Sequence, residues 1–166
     1  MKIAIISDSH DNLANLKKAI YQIKKEKIEL LIHCGDIFEP ETMKEALKDF
    51  SEKAHFVLSD VDEDYFKNLD ENYFKDFPNL KIWRKFGEIE ADKKKIAFCH
   101  SPKTAFKLAF SQKYYIVFYG HLHFPFEKTI GKIKLINSGN IAGLFFKPTF
   151  AIYNTKTDKL ELKILS

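Results

Sequence analysis

The sequence predicts an α/β fold in which two packed mixed β-sheets are flanked by helices. Two observations carry this expectation. The first half of the chain alternates short apolar runs with segments of helical periodicity, the pattern of a parallel sheet with right-handed crossovers. The second half carries strand-like runs joined by tight-turn signals, which points to antiparallel pairing. A parallel half joined to an antiparallel half calls for two sheets with helices outside.

The first strand is Ile3-Ala4-Ile5-Ile6. Leu13, Leu16, Ala19, Ile20 and Ile23 then recur at helical spacing with lysines opposite, which predicts an amphipathic helix. A strand at about 29–34 follows, then a helix from Pro40 to Lys48, where Met43, Ala46 and Leu47 form the apolar stripe and Pro40 suits the first turn. The next strand spans about 54–58, and the acidic and aromatic segment 62–77 reads as a helix. Segments 81–91 and 95–99 read as strands around a turn at Asp92-Lys93-Lys94. Ser101-Pro102 is an N-cap followed by proline at the first helical position. Ala105, Leu108 and Ala109 supply that helix's apolar side, with Phe106 and Phe110 paired one turn apart. Turn signals recur at 129–133 and 154–158.

With 166 residues and no repeat, linker or low-complexity tract, a single domain over 1–166 is expected. No stretch of about 20 residues is free of charge, so no membrane-spanning helix is expected. The apolar run after Lys2 is too short for a secretory core, which makes a cytoplasmic protein the default. Cys34 and Cys99 are too few for a disulfide framework and read as buried thiols. The net charge is +4, but Arg84 is the only arginine. Bidentate grip on phosphate or guanine favours arginine, so composition makes no case for nucleic-acid binding.

The chemistry sits at the ends of the apolar runs. Five of them terminate in an acid or a histidine: Asp8-Ser9-His10, Asp36, Asp60-Val61-Asp62, His100, and His121-Leu122-His123. Ligands in open α/β sheets bind outside the carboxyl ends of strands. The chain therefore brings Asp8, Asp36, Asp60, His10, His100, His121 and His123 to one rim, the inventory of a two-metal hydrolytic site. Carboxylate and imidazole together suit borderline divalent cations better than calcium. His33 and His55 lie outside this pattern and read as core or supporting groups.

Asp-x-His, Gly-Asp and Gly-His-x-His, in this order and with a lone strand-end histidine between the last two, resemble the calcineurin-like metallophosphoesterase family, in particular its small single-domain phosphodiesterases. The likeness runs from Ile3 to about Phe150. It implies an αββα sandwich and a pair of divalent metals, manganese first, with nickel, iron or zinc as alternatives. It further implies that Asp8, His10 and His123 bind the first metal, and His100, His121 and Asp60 the second. Asp36 would bridge the two. Asp36 and His100 are the implied catalytic residues, and Asn12 the implied substrate-binding residue.

The chain departs from the family at Ser59-Asp60-Val61-Asp62. The family usually places Gly-Asn there, often followed by a histidine that protonates the leaving group. Val61 cannot transfer a proton, and Asp62 could do so only if held protonated. Ser101-Pro102 after His100 and Asn137-Ser138-Gly139 also differ from the usual pattern, the latter taken as loop-shaping. The expected activity is hydrolysis of a small-molecule phosphodiester by a bridging hydroxide attacking in line, with no membrane or specific nucleic-acid partner. A homo-oligomer is compatible with the sequence. The competing reading is a catalytically weak scaffold on the same fold, with Phe124, Phe126, Phe145 and Phe146 as a partner surface.

Overall fold

The computed structural model describes residues 1–165. In chain order it contains β1 (Lys2–Ile6), α1 (Leu13–Lys25), β2 (Leu30–His33), α2 (Pro40–Leu47), β3 (Lys53–Val57), α3 (Asp60–Phe66), β4 (Leu80–Trp83) and β5 (Phe86–Ala91). There follow β6 (Lys94–Cys99), α4 (Pro102–Phe110), β7 (Ile116–Tyr119), β8 (Pro125–Ile130), β9 (Ile133–Ser138), β10 (Thr149–Asn154) and β11 (Lys159–Ile164). One sheet has the order β11-β10-β1-β2-β3-β4 and the other β5-β6-β7-β9-β8. None of the helices among the described residues is long and apolar enough to cross a membrane.

Both sheets are mixed, but the division of parallel and antiparallel pairing differs from the sequence expectation. β1 to β4 pair in parallel, and β10 and β11 extend that sheet antiparallel from β1. In the second sheet β6, β7 and β9 are parallel, and only the edge strands β5 and β8 are antiparallel. The central strands are covered on both faces, which is why they read as continuous apolar runs. Successive side chains alternate sides. Ile3 and Ile5 meet Ile32, Phe98, Ile116 and Phe118 between the sheets, while Ala4 and Ile6 meet Leu16, Ile20 and Met43 under the helices. Cys34 lies between the sheets and Cys99 under α4, both as free thiols.

Two elements are shorter than expected. Within 62–77 only the first turns are helical, because α3 stops at Phe66. Asp70 competes for the backbone: its carboxylate accepts from the Asn72 N–H at 2.8 Å, and four-residue turns follow to Phe77. The expected strand 81–91 is two strands in different sheets. Trp83 pairs with Val57, whereas Phe86 pairs with Cys99, so the chain crosses between sheets at Arg84-Lys85.

At the end of the sandwich away from the strand-end loops, Asp158 clamps the two sheets. Its carboxylate accepts from Tyr153 at 2.6 Å, Tyr115 at 2.8 Å, Lys134 at 3.0 Å and Lys94 at 3.2 Å. Burial opposes ionisation, but these four donors outweigh it and hold the carboxyl well below the usual range. Because the folded-state pKa is depressed, the stabilisation is complete above the unfolded value of about 3.9 and drains away as pH falls below it. Asp158→Asn is expected to cost about 2 kcal/mol at neutral pH, the scale of hydrogen bonds to a charged group. Urea unfolding should show that difference shrinking below about pH 3.

Candidate metal centre

Six of the seven predicted ligands lie on loops at the carboxyl ends of β1, β2, β6 and β7, where the backbone is unusual; the seventh, Asp60, opens α3 after β3. Asp8, His10, Asp36, His121 and His123 have φ of 53°, 43°, 58°, 75° and 61°. Left-handed backbone is uncommon outside glycine, and Asp and His are among the residues that tolerate it best. Such strain concentrates where the surroundings over-determine the chain. Here the loop after β1 is laced to the loop after β2: the N–H groups of Asp8, His10 and Asp11 donate to the carbonyls of Gly35, Asp36 and Ile37 at 2.9, 3.0 and 3.0 Å.

Two glycines permit the close approach. At Gly35, with φ of +92°, a Cβ would lie 2.8 Å from the His100 ring. At Gly120 a Cβ would collide with the Ser7 hydroxyl and lie 2.9 Å from the Asp8 carboxylate. Any side chain at either position would push a predicted ligand away.

Asp8, His10, Asp36 and His123 each offer a ligand atom within 4.8 Å of the others. His10 Nε2 lies 3.0 Å from His123 Nε2 and 3.8 Å from Asp36 Oδ2, while His123 Nε2 is 3.3 Å from Asp8 Oδ1. The other Asp36 oxygen, Oδ1, faces His100 Nε2 at 3.5 Å, and His100 Nε2 is 3.3 Å from His121 Nδ1. Asp36 thus stands between two groups of imidazoles. Asp60, the first residue of α3, is exposed and lies outside the four-residue cluster. It shares a cavity of about 380 Å³ with Asp36, His100, His121, Val61, Lys85 and Thr104.

Supporting contacts aim these groups. His100 Nδ1–H donates to the Cys34 carbonyl at 2.9 Å, which leaves Nε2 with its lone pair towards Asp36. Both Asp8 oxygens accept from the His121 N–H at 3.0 Å. Burial opposes ionisation of Asp8, yet His123 and His100 draw its carboxyl below the ordinary range. Asp8 in turn raises His123, whereas burial lowers His10.

The donor set fits a divalent cation. Asp36 Oδ1 is buried without a hydrogen-bond partner, an exception that calls for an explanation in a well-satisfied structure. The His10 and His123 nitrogens converge in a way that a shared proton or a cation relieves. Imidazole and carboxylate together are the ligands that borderline metals take.

The remaining candidates have other partners. Asn12 caps α1 by accepting from the Asn15 N–H at 3.1 Å, and its amide donates to the Ala142 carbonyl at 3.0 Å. That ties the first loop to the loop after β9 and gives Asn12 a positioning task. His33 accepts from the Gly35 N–H at Nδ1 and bonds the Ser9 hydroxyl through Nε2 at 2.9 Å; burial pulls its pKa to about 3. His55 packs against Trp83 and Phe98.

Asp62 is not an acid facing the site. It is fully buried, and its oxygens accept from the N–H groups of Asp36 at 2.8 Å, Ile37 at 3.0 Å, Phe38 at 2.9 Å and Ser59 at 2.9 Å. Burial pushes its carboxyl up, and these backbone donors pull against that shift. Its signal in the sequence is the spacing Ser59-x-x-Asp62, a capping box. Asn140, whose amide donates to the His123 carbonyl at 2.7 Å, has no comparable local signal.

The sequence model of the calcineurin-like phosphoesterase superfamily domain matches residues 1–158. The chain is 31% identical over 160 residues to a phosphodiesterase of Methanocaldococcus jannaschii, covering 94% of each. The solved structure of an archaeal phosphodiesterase superposes with a TM-score of 0.87 at 28% identity, covering 99% of this chain and 100% of that one. Vacuolar protein sorting 29 of Cryptosporidium parvum shares the fold with a TM-score of 0.67 at 15% identity, covering 98% of this chain and 95% of its own.

Proposed function

Because the chain belongs to the calcineurin-like phosphoesterase superfamily, we propose that it is a metal-dependent phosphodiesterase with a two-metal centre. The observation that carries this reading is the position of Asp36, with one oxygen towards His10 and the other, buried and unpartnered, towards His100. In this proposal Asp8, His10 and His123 hold one cation, His100, His121 and Asp60 hold the other, and Asp36 is shared. Manganese, nickel, iron and zinc all suit these donors. When bound, such a pair supplies an activated water and neutralises charge developing on a phosphoryl group displaced in line.

The protein's own groups do the rest. The His100 ring is oriented by the Cys34 carbonyl and the Asp8 carboxylate by the His121 N–H, so the donors need little rearrangement at the moment of reaction. Lys85 and Thr104 line the cavity beside Asp36 and provide a cation and a hydroxyl for a phosphate oxygen. With Val61 at the cavity and Asp62 held by backbone donors, neither of these two positions offers a proton to a leaving group.

In this reading Lys85 serves to hold a phosphate oxygen, and the leaving group departs as an anion. Rates measured across a series of phosphodiesters should fall steeply as leaving-group pKa rises. Alkyl esters should be disadvantaged by roughly 10²–10⁴-fold, the contribution a general acid would otherwise make. A flat series with chemistry rate-limiting would reveal an acid elsewhere and refute this account of the site. Absence of diester hydrolysis with every metal tried would refute the assignment itself.

A further inference from the structure

The loop between β9 and β10 holds one aromatic side chain in a conformation that packing does not explain. Phe145 is 90% exposed, and its φ of 64° is left-handed, an outlier for a bulky residue. Its neighbour Phe146 packs against Phe124 at 5.5 Å between ring centres, whereas Phe145 lies 6.1 Å from the His123 imidazole with its outer face open.

The loop is fastened to the proposed centre. Buried Asn140 accepts from the N–H groups of Gly143 at 2.5 Å and Leu144 at 3.1 Å, while its amide donates to the His123 carbonyl. One side chain therefore ties the backbone that leads into Phe145 to a proposed ligand. A row of rings results: Tyr65 stacks on Phe38 at 5.9 Å, Phe38 meets His10 edge-on at 4.8 Å, His10 lies 4.9 Å from His123, and Phe145 closes the row. Phe38 is engaged from both sides. Of the two end rings, Phe145 beside His123 is the more open, 90% exposed against 43% for Tyr65.

The imidazoles of the centre thus lie between two unlike surfaces. On the His100 and His121 side is the cavity containing Val61, Lys85 and Thr104, and on the His123 side is Phe145. A phosphodiester has two organic arms where a monoester has one. We propose that Phe145 is a platform on which a flat aromatic arm of the diester stacks, while the other arm occupies the cavity. This rests on the phosphodiesterase reading and narrows it to diesters bearing an aryl group or a nucleobase. Aromatic stacking suits the task because every such ring has a π-face, so the platform selects for flatness.

Calorimetry on the metal-loaded full chain separates the alternatives. Diphenyl phosphate and dimethyl phosphate share the anion and differ in the rings. Phe145→Ala should weaken diphenyl phosphate about tenfold, within the range of aromatic stacking, and leave dimethyl phosphate within about twofold. Phe145→Trp should retain the aryl preference, and Phe110→Ala, which removes an exposed ring at the far end of α4, should change neither. A non-hydrolysable dinucleoside phosphorothioate identifies the ring: a Phe145-dependent gain assigns a nucleobase, and a gain confined to diphenyl phosphate assigns a simple aryl group.

Equal weakening of both phosphates by Phe145→Ala would overturn the platform in favour of a loop-shaping role. No weakening of either would overturn it in favour of an exposed surface for a protein partner. Failure of the unaltered chain to bind either phosphate would overturn it as well. Phe145-dependent binding without hydrolysis of any diester would preserve the platform and refute the phosphodiesterase reading, so the two fail separately.

Discussion

Asp36→Asn is expected to leave a folded chain that holds metal poorly and hydrolyses diesters about a thousandfold more slowly, a loss of about 4 kcal/mol in transition-state stabilisation. The reason is the dual role proposed for its carboxylate. Oδ2 faces His10 and Oδ1 faces His100, and the second oxygen is buried without a partner. An amide keeps the shape, removes the charge and replaces one oxygen by a nitrogen that is no ligand. Without metal, that same nitrogen can donate to an imidazole, so the apo variant should melt at or above the temperature of the parent. Added manganese stabilises a chain in proportion to the logarithm of its occupancy. The parent should therefore gain several degrees on metal addition and the variant little. Full turnover and an undiminished metal-induced shift in the variant would show that Asp36 is not shared between two ions.

The second large effect belongs to a residue with no direct part in the chemistry. Asp62→Asn is expected to destabilise the protein by about 3 kcal/mol or more. The amide nitrogen would replace one oxygen and face the two N–H donors it accepts from, leaving them buried and unpaired at about 1–3 kcal/mol each. Three of the donors to Asp62, from Asp36, Ile37 and Phe38, belong to the loop after β2. The variant should consequently lose metal affinity and activity through displacement of Asp36. Positioning and proton donation are separable here. A positioning residue lowers the rate equally for aryl and alkyl leaving groups, whereas loss of an acid penalises alkyl groups selectively. Chemical denaturation combined with the leaving-group series decides between them, and a selective alkyl penalty would restore Asp62 as the acid.

The enzyme reading also bears on the aromatic surface. Phe124 and Phe126 belong to β8 and the turn before it, at the edge of the second sheet, and Phe146 packs on Phe124. Phe145 is set apart from them by its open face and by the Asn140 side chain, which ties the preceding residues Gly143 and Leu144 to His123. Its exposure is thus tied to the proposed centre, not to the sheet edge.

Much of this was legible in the sequence because the informative features are local. A run such as Ile3-Ala4-Ile5-Ile6 declares a strand covered on both faces, and the acid or histidine that follows it must lie at the sheet's carboxyl edge. That reasoning places Asp8, His10, Asp36, His100, His121 and His123 in one region without any knowledge of strand order, and the close contacts among them follow from it. The helix start at Ser101-Pro102 is equally local: proline suits the first turn, and the helix begins there although the Ser101 side chain makes no capping hydrogen bond.

What depended on residues distant in sequence was decided only by the tertiary structure. The chain crosses between sheets at Arg84-Lys85 because Trp83 and Phe86 find partners in different sheets, and nothing within the segment 81–91 marks that break. The helix expected over 62–77 ends at Phe66, followed by an Asx turn at Asp70 and backbone turns, with the Phe66 and Phe74 rings stacked. Asp62 reads locally as a helix cap, yet its larger task is to bind three backbone N–H groups more than twenty residues away. Left-handed backbone at Asp8, His10 and Asp36 is stabilised by the lacing of two loops, a long-range ladder that no local propensity encodes. Strand ends are set by side-chain pattern, which is local. The aim of each ligand is set by hydrogen bonds between loops, which exist only once the sheet has brought those loops together.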